Sequence, residues 1–158
     1  MIAKESTETI NKLCKNTSWV GNYKGVQYSI ENFRIGDDWD AWTLYLWVDL
    51  GMIPAAANPG SFWLEPRIEK LASGAEYVRY DYYHHPVIGG VKWNGCTTWY
   101  SKELGLDGGS ARVVKFGCDF QHSWDRDRQY DLVSMIYYAQ KAVDSFLVLV
   151  PGYGEKKT

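Results

Sequence analysis

The stretch WTLYLWVDL, residues 42–50, decides the fold. Its side chains alternate with a period of two, which is typical of a strand whose two faces meet different surroundings. One face is wholly apolar and belongs to a core: Trp42, Leu44, Leu46 and Val48. The other face mixes aromatic rings with polar groups: Thr43, Tyr45, Trp47 and Asp49. We expect a helix, a ligand or a partner to cover this second face.

The same period recurs on both sides of that strand. It runs through residues 19–33, where NYKG at 22–25 indicates a hairpin turn, and through ARVVKFGCDF at 111–120. The second segment points four side chains inward: Val114, Phe116, Cys118 and Phe120. EYVRYDYY at 76–83 also alternates, and Asn94-Gly95 predicts a hairpin within residues 91–101.

Helical signals lie mainly at the two ends of the chain. Residues 5–15 favour a short helix, and PRIEKLAS within 65–73 predicts another, with Pro66 at its first position. A long amphipathic helix is predicted over about 126–148, with a stripe at four- and three-residue spacing: Leu132, Ile136, Ala139, Val143, Phe146 and Val150. The prediction is therefore an α+β fold, an antiparallel sheet of five to six strands with the C-terminal helix packed on one face.

Length and composition limit the classes to which this protein can belong. The 158 residues suit a single domain, residues 1–158, with a loose tail at 150–158. A net charge of −2 with scattered Lys and Arg argues against binding to duplex nucleic acid. Three widely spaced cysteines favour a reducing compartment, and no segment reads as a secretory signal or a membrane span. We therefore expect a cytoplasmic protein.

The aromatic content is the unusual quantity, with 8 Trp, 12 Tyr and 5 Phe. Several rings stand near cations, and this combination suits a nucleotide-like anion, whose base stacks on a ring while its phosphate pairs with Arg or Lys. Cross-strand aromatic pairs on a sheet are the structural alternative. The candidate ligand residues in these clusters are Arg79, Tyr83, Lys92, Trp93, Asn94 and Trp99.

Two further stretches are candidates for a site. In GCDFQHSWD, residues 117–125, the set Asp119, His122 and Asp125 could activate a water or hold a divalent metal, or could simply orient a histidine and cap the following helix. We predict no metal or other cofactor. In HHPVIGG, residues 84–90, Pro86 forces an extended conformation on His85, so the two imidazoles point apart. There His85 is a candidate ligand residue, and Gly89 and Gly90 either cup an anion or only form a turn.

VIGGVKW at 87–93, GCDFQHSWD and the C-terminal helix together resemble a group of small phage and prophage proteins. Their pattern is roughly V-H-G-G-hydrophobic-T-aromatic, then G-F-D-C-A-H-x-x-D. The matching positions are Gly89, Gly90, Gly117, Asp119, His122 and Asp125; this chain departs at Ile88 and at the exchanged Cys118 and Phe120. The resemblance covers the C-terminal half and implies a phage-encoded accessory protein in a bacterial cytoplasm.

Three functions follow as hypotheses. The first is an oligomeric counter-defence protein that sequesters a small nucleotide-like signal without catalysis. The second is a hydrolase or phosphoesterase that uses His122, Asp119 and Asp125. The third is an interaction module that blocks a host defence protein through an aromatic surface.

Overall fold

The computed structural model of this protein describes residues 17–35, 39–93, 95–104, 111–120 and 130–155. Its main sheet has five antiparallel strands: β1 (Thr17–Tyr23), β2 (Val26–Ile35), β3 (Trp39–Asp49), β6 (Trp99–Leu104) and β7 (Arg112–Asp119). Their spatial order is β1-β2-β3-β7-β6. A separate two-stranded sheet pairs β4 (Arg67–Lys70) with β5 (Glu76–Arg79), and α1 (Leu132–Leu149) follows. The predicted α+β class, with a five-stranded antiparallel sheet and a C-terminal helix, is confirmed.

The core lies between α1 and one face of the main sheet. The apolar face predicted for β3 is buried, as are the inward residues predicted for β7. Leu44 and Leu46 stand in the middle, each flanked by the strands on both sides. The β1–β2 hairpin predicted at NYKG also forms, because Lys24 and Gly25 both adopt the positive φ that a tight two-residue turn requires.

Helix α1 starts at Leu132, later than the sequence predicts. Asp131 is its N-cap, where the carboxylate accepts from the Ser134 N–H at 2.8 Å. The Ser134 hydroxyl in turn accepts from the Asp131 N–H at 2.9 Å, which completes a capping box. By length and composition alone α1 could be a membrane span. It packs on the sheet through fully buried residues such as Val143 and Phe146.

The face of the sheet that carries Tyr45 and Trp47 is turned away from α1. We call it the open face, and define it by the outward residues of its central strands: Thr43, Tyr45, Trp47, Lys115, Gly117 and Asp119. Trp47 donates from Nε1 to the Ser29 hydroxyl at 2.7 Å. Within the described residues, no helix covers this face.

Several predictions about local structure are wrong. Arg67–Lys70 is a strand rather than a helix, because it pairs with Glu76–Arg79 around a turn at Gly74. The hairpin at 91–101 does not form, since β6 begins at Trp99 and pairs with β7 instead. The strand predicted at 76–83 ends at Arg79. The helix predicted at 5–15 lies outside the described residues.

The tail predicted to be loose from residue 150 is docked as far as residue 155. Val150 is fully buried, and the Tyr153 hydroxyl accepts from the Asp49 N–H at 3.0 Å. Burial raises the pKa of Tyr153 to about 12. The N–H of Gly154 also bonds to the Met52 carbonyl. These contacts fix residues 150–154 against the loop that follows β3.

Candidate functional site

Two cations converge on a single tryptophan ring at one edge of the main sheet. Lys102 Nζ lies 5.1 Å from the centroid of the Trp63 ring, and Arg112 Cζ lies 5.2 Å from the same centroid. Lys102 Nζ is also 5.6 Å from the Tyr80 ring. We call these four residues, Trp63, Tyr80, Lys102 and Arg112, the Trp63 surface. The distances fall within the range of cation–π attraction.

Strand register brings the two cations together. Lys102 on β6 pairs with Val114 on β7, and Arg112 lies two residues before Val114 on the same face. The two cations are therefore diagonal neighbours on adjacent strands. Both follow the alternation of the buried face, but they stand at its edge, where the apolar core ends.

The environment of these cations differs from that of the basic residues that form ion pairs. Lys24 pairs with Asp144 at 2.8 Å, and Arg67 pairs with Asp81 at 3.4 Å. Within the described part of the chain, no carboxylate lies within 4.0 Å of Lys102 or Arg112. Among the described residues, their positive charge is therefore compensated only by ring faces, which leaves it available to a ligand.

Tyr100 anchors the loop that presents Trp63. Its hydroxyl donates to the Phe62 carbonyl at 2.5 Å and accepts from the Leu64 N–H at 2.9 Å. These contacts hold the backbone on both sides of Trp63, so the backbone that carries the Trp63 ring is fixed in place. The Tyr100 ring also packs on Tyr80 at 5.0 Å between centroids. Burial raises the pKa of Tyr100 to about 12, which keeps the anchoring hydroxyl protonated.

A hollow of about 210 Å³ adjoins the Trp63 surface and shares Tyr80 with it. We call it the Arg79 hollow; its lining residues are Val78, Arg79, Tyr80, Tyr82, Thr98, Trp99 and Tyr100. The Trp99 side chain is 51% exposed. Arg79 has a distant carboxylate partner, Glu69, at 3.6 Å. Two of the ligand residues predicted from sequence, Arg79 and Trp99, therefore line one hollow.

A second hollow of about 200 Å³ lies on the open face, on the other side of Trp99. We call it the Asp119 hollow; its lining residues are Phe33, Thr43, Tyr45, Thr98, Trp99 and Asp119. The Asp119 backbone N–H donates to the Thr98 hydroxyl at 3.1 Å. His122 and Asp125, predicted to act with Asp119, lie outside the described residues. In the chain ranges that the structure describes, no three His, Cys, Asp or Glu side chains cluster as metal ligands would.

His85 is part of the fold. Its Nδ1 accepts from the N–H groups of Val87 and Ile88, both at 3.1 Å, so Nδ1 carries no proton. Nε2 lies 3.0 Å from the Ser61 hydroxyl, which in turn donates to the Asn58 carbonyl at 2.7 Å. Burial lowers the pKa of His85, so the neutral ring with its proton on Nε2 is the form that this network holds.

The Ser61–His85 pair faces a hollow of about 460 Å³ and has the distance of a nucleophile and its base. The tautomer rules out that role in this conformation. A general base must offer an unprotonated nitrogen to the serine, whereas here Nε2 donates and Nδ1 is used by backbone N–H groups. His84, by contrast, is exposed, with Nδ1 2.6 Å from Asp81. The two histidines therefore have different surroundings, one inside the fold and one at the surface.

The paired glycines allow a close backbone approach. A Cβ at Gly89 would lie 2.5 Å from the Tyr83 carbonyl, and one at Gly90 would lie 2.3 Å from the Pro86 carbonyl. The N–H of Gly89 donates to His85 and that of Gly90 to Val87, both at 2.9 Å. An anion would have to compete with these bonds. Neither glycine lines the Arg79 or the Asp119 hollow.

The remaining predicted ligand residues are dispersed. The Tyr83 ring is 50% exposed and packs on Tyr82, while its hydroxyl lies 3.9 Å from Cys96 Sγ. Trp93 turns its edge to the core ring of Phe116 and donates from Nε1 to Thr97. Lys92 is attached through its backbone N–H to Ser145 of α1. Asn94 lies outside the described residues.

Trp63, Tyr80, Lys102 and Arg112 are absent from the sequence prediction. One signal could have indicated the two cations: Arg112 falls in the alternation of Val114 and Phe116, and a cation in line with apolar residues is unexpected. Trp63 lies in a loop, and Lys102 directly follows the segment 91–101 that the sequence predicts to be a hairpin. Their meeting depends on register and loop geometry, which no local pattern encodes.

Comparison of the chain with protein-family models, with curated proteins and with solved structures found no match.

Proposed function

We propose that this protein binds a small, flat, anionic molecule of nucleotide type, without catalysis, at the Trp63 surface and the adjoining Arg79 hollow. The observation that carries the proposal is the pair Lys102 and Arg112 on one tryptophan ring, without a carboxylate partner among the described residues. Phosphate groups would pair with these cations, and a base would stack on Trp63 or Trp99.

The dimensions support a ligand that spans both places. The Arg79 hollow, at about 210 Å³, is smaller than the roughly 300–1,000 Å³ of typical small-molecule sites. The combined surface runs from this hollow across Tyr80 to Trp63. It has aromatic rings at both ends, and the cations lie between the rings and beside them. That layout matches a molecule with a planar base and a charged tail.

The proposed role of such a binder is sequestration. A protein that holds a nucleotide signal and releases it unchanged needs affinity and no acid–base group, and the Ser61–His85 pair has the wrong tautomer for one. The resemblance to phage accessory proteins suggests a counter-defence protein that lowers the free concentration of a host signal in a bacterial cytoplasm. This biological setting is part of the proposal.

Isothermal titration with ATP, ADP-ribose and cyclic dinucleotides tests the proposal. We expect saturable heat with at least one of them, and a Kd roughly ten- to a hundredfold weaker in Lys102→Gln and Arg112→Gln, because each removes a charge-assisted phosphate contact of about 1.5–3 kcal/mol. Lys141→Gln is the matched control, since Lys141 also lies over an exposed ring, that of Tyr137 on α1.

Three outcomes would contradict the proposal. The first is no heat with any ligand of the panel, and the second is an equal loss of affinity in Lys141→Gln. The third is conversion of the bound ligand, because sequestration requires that the same molecule be recovered by chromatography after heat denaturation of the complex.

A further inference from the structure

We infer that the Asp119 hollow on the open face is a second binding site, and that it takes a small organic cation such as a methylated ammonium group. The inference goes beyond the proposed anion site, and it rests on how three rings and a carboxylate are arranged around a glycine.

Two of the rings face each other across Gly117. In the register of the sheet, Gly117 on β7 pairs with Tyr45 on one side and with Trp99 on the other. Paired residues share a face, so these three residues form one row across the strands. In this row an aromatic ring stands on each side of Gly117, and no side chain lies between the two rings. A Cβ at 117 would lie 2.6 Å from the Tyr45 ring and 1.9 Å from the Leu44 carbonyl, so only glycine fits. The glycine thus forms the floor of a gap between two rings.

The neighbouring row supplies the charge. Thr43 pairs with Asp119 on one side and with Glu31 on the other, which places two carboxylates beside the row of rings. Glu31 is held by the Thr43 hydroxyl at 3.5 Å, and Phe33 lines the hollow from β2. Burial raises the pKa of Tyr45, the hydrogen bond with Thr43 lowers it, and Glu31 and Asp119 raise it further. The carboxylate of Asp119 on the wall of the hollow favours a cationic ligand over an anionic one.

The protein already uses this chemistry on the same face. Lys115 extends its ammonium group to 4.2 Å from the centroid of Tyr45 and 4.9 Å from that of Trp47. Lys115 pairs with Trp47. Along β7 it lies two residues before Gly117, whereas Asp119 lies two residues after it. Its position shows that Tyr45 accepts a cation, while the hollow on the other side combines ring faces with a carboxylate.

The size of the hollow sets the class of ligand. At about 200 Å³ it holds a head group, not a large molecule. Rings and a carboxylate around such a volume suit an alkylated ammonium, because the rings attract its diffuse charge and the alkyl groups gain apolar contact. The head group can belong to a free metabolite or to a methylated lysine side chain.

Titration of the whole protein with choline and with its neutral isostere 3,3-dimethylbutan-1-ol, followed by tryptophan fluorescence, tests the charge. We expect saturable binding of choline. The neutral compound should bind at least about tenfold more weakly. A trimethyllysine derivative with blocked ends forms the second arm. Whichever of choline and the lysine derivative binds more tightly identifies the source of the head group.

The variant Asp119→Asn keeps the shape of the hollow and removes its charge, so we expect choline binding to weaken about tenfold. Glu103→Gln is the control, because Glu103 is a carboxylate on the same face that accepts from Ser101 and does not line the hollow. Lys102→Gln should leave choline binding unchanged, which separates this site from the proposed anion site. Thermal melts verify that each variant is folded.

The inference is overturned if neither choline nor the lysine derivative binds saturably. It is also overturned if the neutral isostere binds as well as choline, or if Asp119→Asn and Glu103→Gln behave alike.

Discussion

The turn around His85 and the Trp63 surface each combine an aromatic ring with polar side chains, and they differ in what the polar groups contact. At His85, each ring nitrogen has a partner within the fold, and the ring packs on Phe62 at 4.4 Å between centroids. At the Trp63 surface, Lys102 and Arg112 meet only ring faces among the described residues. Residue type alone therefore does not identify a site. A polar group that is fully bonded inside the protein stabilises the fold, and a charge without such bonds can serve a ligand.

The largest expected effect on stability is at His85. In His85→Phe, the Val87 and Ile88 N–H groups lose their acceptor while a ring remains to pack on Phe62, so we expect a loss of about 2–4 kcal/mol in the free energy of unfolding. Urea denaturation of the two proteins measures it. A loss below about 0.5 kcal/mol would mean that the network around His85 contributes little to the fold.

The same residue predicts a pH dependence. Burial lowers the pKa of His85, so below its unfolded value of about 6.5 the unfolded chain binds more protons than the native one. The contribution of His85 is therefore complete above that pH and is lost as the pH falls from about 6.5 towards the folded pKa. In urea denaturation between pH 5 and pH 8, we expect His85→Phe to flatten this slope. His84→Phe is the control, because His84 is exposed, and a flattened slope in that variant would contradict the assignment.

A smaller effect is expected at Ser61. Ser61→Ala removes the partner of His85 Nε2 and one bond to Asn58, and we expect a loss of about 1 kcal/mol, since the adjoining hollow lets water replace the hydroxyl. If Ser61 were a nucleophile, the variant would lose a hydrolytic activity with little change in stability. Thermal melts and an assay with an activated ester, both on the wild type and the variant, distinguish the two.

The smallest effect on stability is expected at Lys102. Lys102→Gln removes a partly exposed cation from two ring faces, so the free energy of unfolding should change by less than about 1 kcal/mol. The same variant should lose most of its affinity for nucleotide. A large loss of stability would place Lys102 with His85 among residues that maintain the fold.

Sequence reasoning predicted the central sheet because the alternation in β3 and β7 is long and one face of each is uniformly apolar. It was wrong at Arg67–Lys70, where helix-compatible residues form a hairpin supported by cross-strand contacts such as Arg79–Glu69 and Tyr77–Glu69. It was also wrong about a hairpin over 91–101, since a turn dipeptide does not determine which strand β6 pairs with.

The candidate site was predictable only in part. Arg79 and Trp99 were predicted as members of two separate clusters of rings and cations, and in the structure they line one hollow. Trp63, Lys102 and Arg112 come from a loop and two strands, and they meet through register and the Tyr100 anchor. Such non-local contacts have no period in the sequence, so alternation and spacing could not reveal them.

The most direct test of the account is a titration followed by the indole N–H resonances of ¹⁵N-labelled protein, assigned by single Trp→Phe variants. With the panel nucleotide that binds most tightly, we predict that the Trp63 and Trp99 resonances shift together and saturate, while those of Trp42 in the core and Trp47 on the open face stay in place. Shifts confined to Trp47, or no shift at Trp63 while ligand is bound, would contradict a nucleotide site at the Trp63 surface.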